Sequence, residues 1–402
     1  MTPNDIWDTG MSEIKIASAL HELMAAPDSP EEHRVIVRYR LGLSVASRPL
    51  AGVDAQHFAL LPATAMRATA GEIRELASSP HVERIWPDLP VHTCLESSVP
   101  HIRAPEVWDA GYTGRGVGVA ILDTGIDAGH PDFAGRLVAM QDFTGDGVRD
   151  NHGHGTHVAG IAAAGANRRG VAPGADIFVA KVLHDDGTGY MSEVMAGLDW
   201  AVQQQARVVN LSLGGVGPCD GSDALSTACD AAVDRGVVVC VAAGNFGPDA
   251  SSVGPPGCAR KPLTVGACSI REAIASFSAR GPTSDGRVKP DIVMPGVNIT
   301  SCRAQGTRMG TPVSALYTRA SGTSMATPHA TGTVALLLEA SPELTAEQLK
   351  QRLMDAAKGL GLDANAQGQG RGDAYQSYVG ESYPQPAAGC LASALRFLAT
   401  GR

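Results

Sequence analysis

GVGVAILDTGID, residues 116–127, runs apolar for the length of a strand and then breaks into two aspartates around a glycine turn. Four more runs share its character: DIFVAKVL (176–183), RVVNLSL (207–213), GVVVCVAA (236–243) and PLTVGA (262–267). They are near-continuously apolar, as strands buried on both faces must be. Helical stretches lie between several of them. From Glu193 to Gln205, Val194, Leu198, Ala201 and Val202 fall on one face, and Ala224 to Arg235 forms a second helix. Apolar strands alternating with helices predict an α/β fold with a doubly wound, mostly parallel sheet. Sites in such sheets lie at the carboxyl ends of the strands, where Asp123 stands.

Composition narrows the function classes. The chain has 402 residues, 44% hydrophobic but only 4% aromatic, so its core is built from Val, Leu, Ile and Ala. The net charge of −9 comes with no basic stripe, which argues against nucleic acid as a partner and against a membrane surface. No run reaches the roughly 20 apolar residues of a membrane helix. The first 33 residues lack the basic and apolar regions of a secretory signal, so a cytoplasmic origin is expected, with a signal-independent route outward left open. Ile14 to Met24 reads as an amphipathic helix. Eight cysteines occur without a CxxC pair, which disfavours a zinc ribbon. Cys240 reads as a small buried hydrophobe, and Cys219 with Cys229 as a local disulfide if the chain is exported.

The chain changes character near residue 95. RVIVRYR (34–40) alternates like a half-buried strand, and HFALLPATAMRAT (57–69) reads as a strand and turn. Thr69 and Glu72 have capping-box spacing, with Ile73 and Leu76 on one helical face. HVERIWPD (81–88) closes the unit. The expected organisation is an N-terminal extension (1–33), a small α+β domain (34–95), the α/β domain (96–380) and a tail (381–402).

Polar residues gather at the strand ends of the larger domain. NHGHGTHVAG offers His152, His154 and His157. The intervening glycines and the lack of a paired carboxylate make a metal the weaker reading. His154 stands at the mouth of a helix, and His157, one turn in, reads as an internal packing residue. Asn245 follows the strand VVVCVA through Gly244. Ser324 sits in ASGTSMATPHATG (320–332), at the start of a helix whose Pro328 is expected in the first turn. Free N–H groups there favour negative charge. The order Asp, His, Ser is one of three known for the triad. Ala326, two after Ser324, excludes the Gly-x-Ser-x-Gly elbow.

Five blocks, AILDTGID, GHGTHVAG, NLSLGG, AAGN and SGTSMATPHATG, together resemble the signatures of the subtilisin-like serine proteases (peptidase family S8) over residues 96–376. The resemblance implies a serine endopeptidase with Asp123, His154 and Ser324 as triad and Asn245 as oxyanion donor. It implies a peptide substrate bound as an added strand between Gly187–Thr188–Gly189 and Ser212–Leu213–Gly214. Gly244 and Gly254 would line the S1 pocket, and Met191 and Val194 an apolar S4 site. SSVGPPG (251–257) holds no acidic residue, so an apolar or broad P1 preference is expected.

The front domain resembles the inhibitor-like propeptide of that family. It would inhibit its own catalytic domain and be cut between Leu95 and Glu96, with Leu95 in S1. The chemistry needs no cofactor. Asp132 matches a family calcium ligand, yet the following stretch is short and carries Arg168 and Arg169, poor company for a cation. Asp146 and Asp150 read as a solvated loop rather than a second cation site. A monomer is expected. A peptide acyl-transferase or cyclase would use the same triad, but no water-excluding insertion is visible. A permanently inhibited binding module would have no need of the full polar set.

Overall fold

The computed structural model describes Ile16 and residues 32–40, 55–57, 62–87, 94–166 and 170–382. Most of the stretch Ile14–Met24, together with Arg168, Arg169 and residues 383–402 of the tail, lies outside them. Ile16 itself makes a parallel bridge to Ile85, which a helix at that residue would not form. The chain forms two compact units, Met1–Val91 and His92–Arg402.

The first unit is a four-stranded antiparallel sheet ordered β2-β3-β1-β4, from β1 (Glu32–Tyr39), β2 (Gln56–His57), β3 (Ala63–Thr69) and β4 (Val82–Pro87). The alternation of RVIVRYR buries Val35, Val37 and Tyr39 against the helix Ala70–Ser78 through Ile73 and Leu76. That helix starts with the expected capping box: Glu72 N–H donates to Thr69 Oγ1 (3.3 Å), and Thr69 N–H donates to Glu72 Oε2 (2.7 Å).

The second unit is built on seven strands ordered β11-β10-β9-β8-β5-β7-β6. They are β5 (Gly118–Asp123), β6 (Leu137–Asp142), β7 (Asp176–Lys181), β8 (Val208–Leu211), β9 (Val238–Ala242), β10 (Leu263–Cys268) and β11 (Ile292–Pro295). Every pairing is parallel. The five apolar runs are strands, as expected. β6 and β11 carry weaker signals: β6 is a half-exposed edge and β11 has only four residues. The chain winds to one side of β5 through β7 and β6, then to the other from β8 to β11. The order reverses beside β5, which ends in Asp123.

Helices cover both faces. His154–Ala163 and Thr323–Ala340 pack on one face through Val158, Ile161, Val334 and Leu337. Met191–Gln203 and Ala224–Asp234 pack on the other through Val194, Leu198, Leu225 and Cys229. A small antiparallel sheet, β12 (Ile299–Cys302), β13 (Thr311–Pro312) and β14 (Tyr317–Ala320), was not anticipated.

The expected Cys219–Cys229 disulfide is not formed. Cys219 pairs with Cys258, Cα atoms 6.0 Å apart. Cys229 is free, because its place on the Ala224–Asp234 helix turns it into the core against the sheet. Cys240 is buried in β9, as its run predicts.

Candidate active site

Asp123 is the last residue of β5 and is fully buried. His154 is the first residue of its helix, and its Nδ1 lies 2.7 Å from Asp123 Oδ1. The same oxygen accepts from Thr124 N–H (2.8 Å). Gly155 lets the helix come this close: a Cβ there would stand 2.2 Å from the Gly125 carbonyl. Burial pulls the His154 pKa down, but the charge of Asp123, their hydrogen bond and the charge of Asp150 outweigh it, and the net shift is upward.

Asp150 departs from the expectation of a solvated loop. It is buried, and its carboxylate closes the mouth of the His154 helix. Oδ1 accepts from His152 N–H (3.2 Å), Gly153 N–H (2.6 Å) and Thr124 Oγ1–H (2.9 Å). Oδ2 accepts from Thr156 N–H (2.8 Å) and Oγ1–H (2.6 Å). Thr124 Oγ1 in turn accepts from Gly155 N–H (2.9 Å). Asp150 therefore ties the end of β5 to the helix that carries His154. Its position four residues before His154, at a helix N-terminus, was the signal that could have found it. His157 is internal, as expected: its Nε2 donates to the Ile299 and Thr318 carbonyls (both 3.2 Å), and burial takes its pKa to about 3.

Ser324 is the second residue of the Thr323–Ala340 helix. Pro328 is the sixth, past the first turn where it was expected. A proline there removes the N–H that would have bonded the Ser324 carbonyl. Ser212 Oγ–H donates to that carbonyl instead (2.9 Å), and is itself held by Asn210 Nδ2 (2.9 Å). Ser324 Oγ–H donates to the Ser212 carbonyl (3.0 Å). Asn245 follows Gly244, whose φ of 107° requires glycine. Asn245 Oδ1 accepts from Thr323 N–H (2.9 Å) and Oγ1–H (3.0 Å), which fixes the amide and leaves Nδ2 as a donor without a partner among the described residues.

His154, Ser324 and Asn245 line one cavity of about 550 Å³. Gly187, Thr188, Gly189, Met191, Val194, Ser212, Leu213, Gly214 and Gly244 line it as well. Asp123 sits behind His154. Gly254 lies outside the lining and supports it: a Cβ on Gly254 would meet the Gly215 carbonyl at 2.1 Å. His152 also lines the cavity, as do Tyr190, Leu225 and Phe246, which the sequence did not single out. Leu95 and Glu96 fall in the first turn of a helix, Cys94–His101, and their side chains lie outside the described residues.

The surroundings of Asp132 do not fit a calcium ion, which takes six to eight oxygen ligands. Asp132 is buried, and its Oδ2 accepts from Tyr317 Oη–H (2.8 Å) and Cys302 Sγ–H (3.7 Å). His130 accepts at Nδ1 from Asp132 N–H (3.2 Å) and donates at Nε2 to the Leu316 carbonyl (2.9 Å). The Arg136 guanidinium donates to the main-chain carbonyls of Asp132 and Ala163 and weakly to Ala175 (3.4 Å). These carbonyls, the oxygens a cation needs, already hold a tethered positive charge. The weak calcium assignment at Asp132 is corrected on that ground.

A parallel doubly wound sheet brings together an aspartate at its switch point, an imidazole bonded to it and a serine at a helix mouth, groups that a serine hydrolase requires. Comparison with known proteins agrees: the chain belongs to the subtilase family, whose conserved domain it matches over residues 114–372. It is 36% identical over 338 residues to the serine protease AprX of Bacillus subtilis (strain 168), covering 76% of each chain. It is 35% identical over 356 residues to subtilisin J of Geobacillus stearothermophilus, covering 84% of this chain and 89% of the relative. Among solved structures, a cold-adapted subtilisin-like serine proteinase superposes with a TM-score of 0.55 at 34% identity, over 65% of this chain and 88% of that one. The chain is a subtilisin-type serine protease, a hydrolase acting on peptide bonds that needs no cofactor for catalysis.

Proposed function

We propose that the chain is a serine endopeptidase in which Asp123, His154 and Ser324 form the triad, and Asn245 with the Ser324 main-chain N–H receives the oxyanion. The 2.7 Å Asp123–His154 contact beside a cavity that Ser324 also lines carries this reading. A serine hydroxyl needs a base to attack at neutral pH. Because Nδ1–H donates to Asp123, Nε2 is the accepting nitrogen. To reach Nε2 across the cavity they both line, the Ser324 hydroxyl must leave the Ser212 carbonyl. His154 takes the proton as Oγ bonds to the peptide carbonyl. The developing oxyanion accepts from Asn245 Nδ2 and Ser324 N–H. The imidazolium, held by Asp123, then protonates the leaving amine, and water repeats the sequence to free the acyl group.

A protein or peptide substrate lies as a strand between Gly187–Gly189 and Ser212–Gly214. Ala242, Gly244 and Phe246 give an apolar S1 wall, which supports an apolar or broad P1 preference. Met191 and Val194 supply an apolar S4 surface. The front unit serves as propeptide and intramolecular inhibitor, cut between Leu95 and Glu96, and the processed enzyme is a monomer. Cleavage there requires the first turn of Cys94–His101 to unwind, since a protease takes its substrate extended.

Intact mass and N-terminal sequencing of wild type beside Ser324→Ala test this reading. Wild type should lose the residues before Glu96 and react with a serine-directed fluorophosphonate, while the variant stays whole and unlabelled. Two full-length proteins, with wild type resisting the reagent, would leave a permanently inhibited binding module. A product mass showing a new amide instead of a free carboxylate would point to acyl transfer.

A further inference from the structure

The segment Gly187–Thr188–Gly189 hangs on a turn that starts at His184. The His184 N–H donates to the Thr188 carbonyl (2.7 Å), and the His184 carbonyl accepts from Gly187 N–H (2.9 Å). The ring is held at both ends. Nδ1 lies 3.0 Å from Asp146 Oδ2, in the loop after β6, and Nε2 lies 3.2 Å from Glu193 Oε1, in the first turn of Met191–Gln203. A neutral imidazole carries one N–H and must turn a lone pair on one of these carboxylates. Only the imidazolium donates to both.

Each carboxylate has a second duty. Asp146 Oδ2 also accepts from Asp185 N–H (3.2 Å), and Glu193 Oε2 accepts from Tyr190 N–H (2.7 Å), where the helix begins. The other charged groups nearby are engaged elsewhere. Asp185 accepts from Lys181 Nζ (2.8 Å) and Asn151 Nδ2 (2.9 Å), and Asp186 accepts from Thr188 N–H (2.8 Å) and Oγ1–H (2.7 Å). A recess of about 570 Å³ bounded by Asp146, His184 and Asp185 adjoins the catalytic cavity and shares Asp186, Thr188, Gly189 and Tyr190 with it.

We propose that the His184 imidazolium is a strut that positions the peptide-binding edge, so that its deprotonation loosens Gly187–Gly189 and weakens substrate binding without altering the bond-making step. The inference rests on the peptidase reading of the groove. His184 is a positioning residue, since it touches no reacting atom. Its titration runs in the required direction: the hydrogen bond it donates to Asp146 raises its pKa, desolvation opposes, and the charges of Asp146 and Glu193 with the bond to Glu193 add to the rise. The strut is therefore present below the raised pKa, where both carboxylates remain ionised, and is lost as pH climbs through it.

The test measures kcat and KM separately across that range, in the full chain, for a peptide spanning several residues before the scissile bond. Wild-type KM should rise about two- to fivefold above the His184 pKa, the scale of a partly exposed charge pair, while kcat does not follow. His184→Gln should show the high KM at every pH. Glu193→Gln should move the step to lower pH, because one supporting carboxylate is gone. A flat wild-type KM, or a His184→Gln KM equal to the low-pH wild-type value, overturns the proposal. If His184→Gln does not fold, an unmoved step in Glu193→Gln overturns it equally. If wild type cleaves no peptide, the peptidase reading fails, and amide hydrogen exchange over residues 184–190 decides the strut. Faster exchange above the His184 pKa supports it, and pH-independent protection overturns it.

Discussion

Asp150 takes the N–H groups of His152, Gly153 and Thr156, and Thr124 takes that of Gly155, so the mouth of the His154 helix is closed by hydrogen bonds. The Ser324 helix opens onto the same cavity with its mouth bare. Gly322 supplies no side-chain cap, the first turn holds no acidic residue, and Thr323 N–H goes to Asn245. The Ser324 N–H has no partner among the described residues. On the proposed mechanism the difference follows from the two tasks. A base must be held in one orientation, and a carboxylate at its helix mouth both holds it and favours its charged form. An oxyanion needs donors that nothing else has satisfied, so a cap at Ser324 would occupy the site it must leave open.

The sharpest way to break this contrast is Ser324→Ala. The loss in kcat should be about 10⁶-fold, a figure taken from subtilisin, to which this chain is related. Residual turnover near wild type would remove Ser324 from the mechanism. Next comes the open mouth itself. Asn245→Leu should lower kcat about 10²–10³-fold with little change in KM, again on the subtilisin scale. A change confined to KM would mean that Asn245 binds substrate and not the transition state.

The closed mouth gives the third test. Asp150→Asn should lower kcat by up to about 10²-fold, the cost of a small misplacement of a catalytic group. Its pH profile carries a separate sign. His154 must be neutral to act as base, and its pKa is raised, so wild-type kcat/KM falls with acid through a pKa above the usual 6.5 of histidine. Asp150 is one of the charges that raise it, so Asp150→Asn should shift the acid limb to lower pH. An unmoved limb would reduce Asp150 to a purely structural cap.

The smallest effect is expected at Ser212. Ser212→Ala leaves the Ser324 carbonyl without a donor, costing about 1 kcal/mol of stability and a Tm shift of a few degrees, read by calorimetry. No shift would mean that water replaces the hydroxyl. Pro328→Ala in that background restores a helix N–H to the same carbonyl and should recover the loss.

The signals legible in the sequence were the local ones. Apolar runs of strand length located β5, β7, β8, β9 and β10, because strands buried on both faces have no polar alternation to hide them. β6 escaped because an edge strand mixes exposed and buried positions. The Thr69–Glu72 box was readable because both partners lie within one turn. Asp150 was misread as solvated, since nothing local shows that a loop aspartate will be buried under Thr124 and Thr156. Cys219 was paired with the nearer Cys229 on sequence distance alone, whereas the helix turns Cys229 inward and brings Cys258 into reach.

By itself the sequence determined the layer architecture, the strand ends at which Asp123 and Asn245 stand, and the helix starts at His154 and Ser324. Hydrophobic periodicity and capping act over a few residues, so a linear reading captures them. The tertiary structure alone decided which groups satisfy those ends. Ser212 and Ser324 exchange two hydrogen bonds across 112 residues, and Tyr317 reaches Asp132 across 185. Arg136 folds back onto the Asp132, Ala163 and Ala175 carbonyls. Such pairings depend on how the sheet winds and where its loops return. A buried polar group must find a partner, but only the closed fold settles which one is within reach.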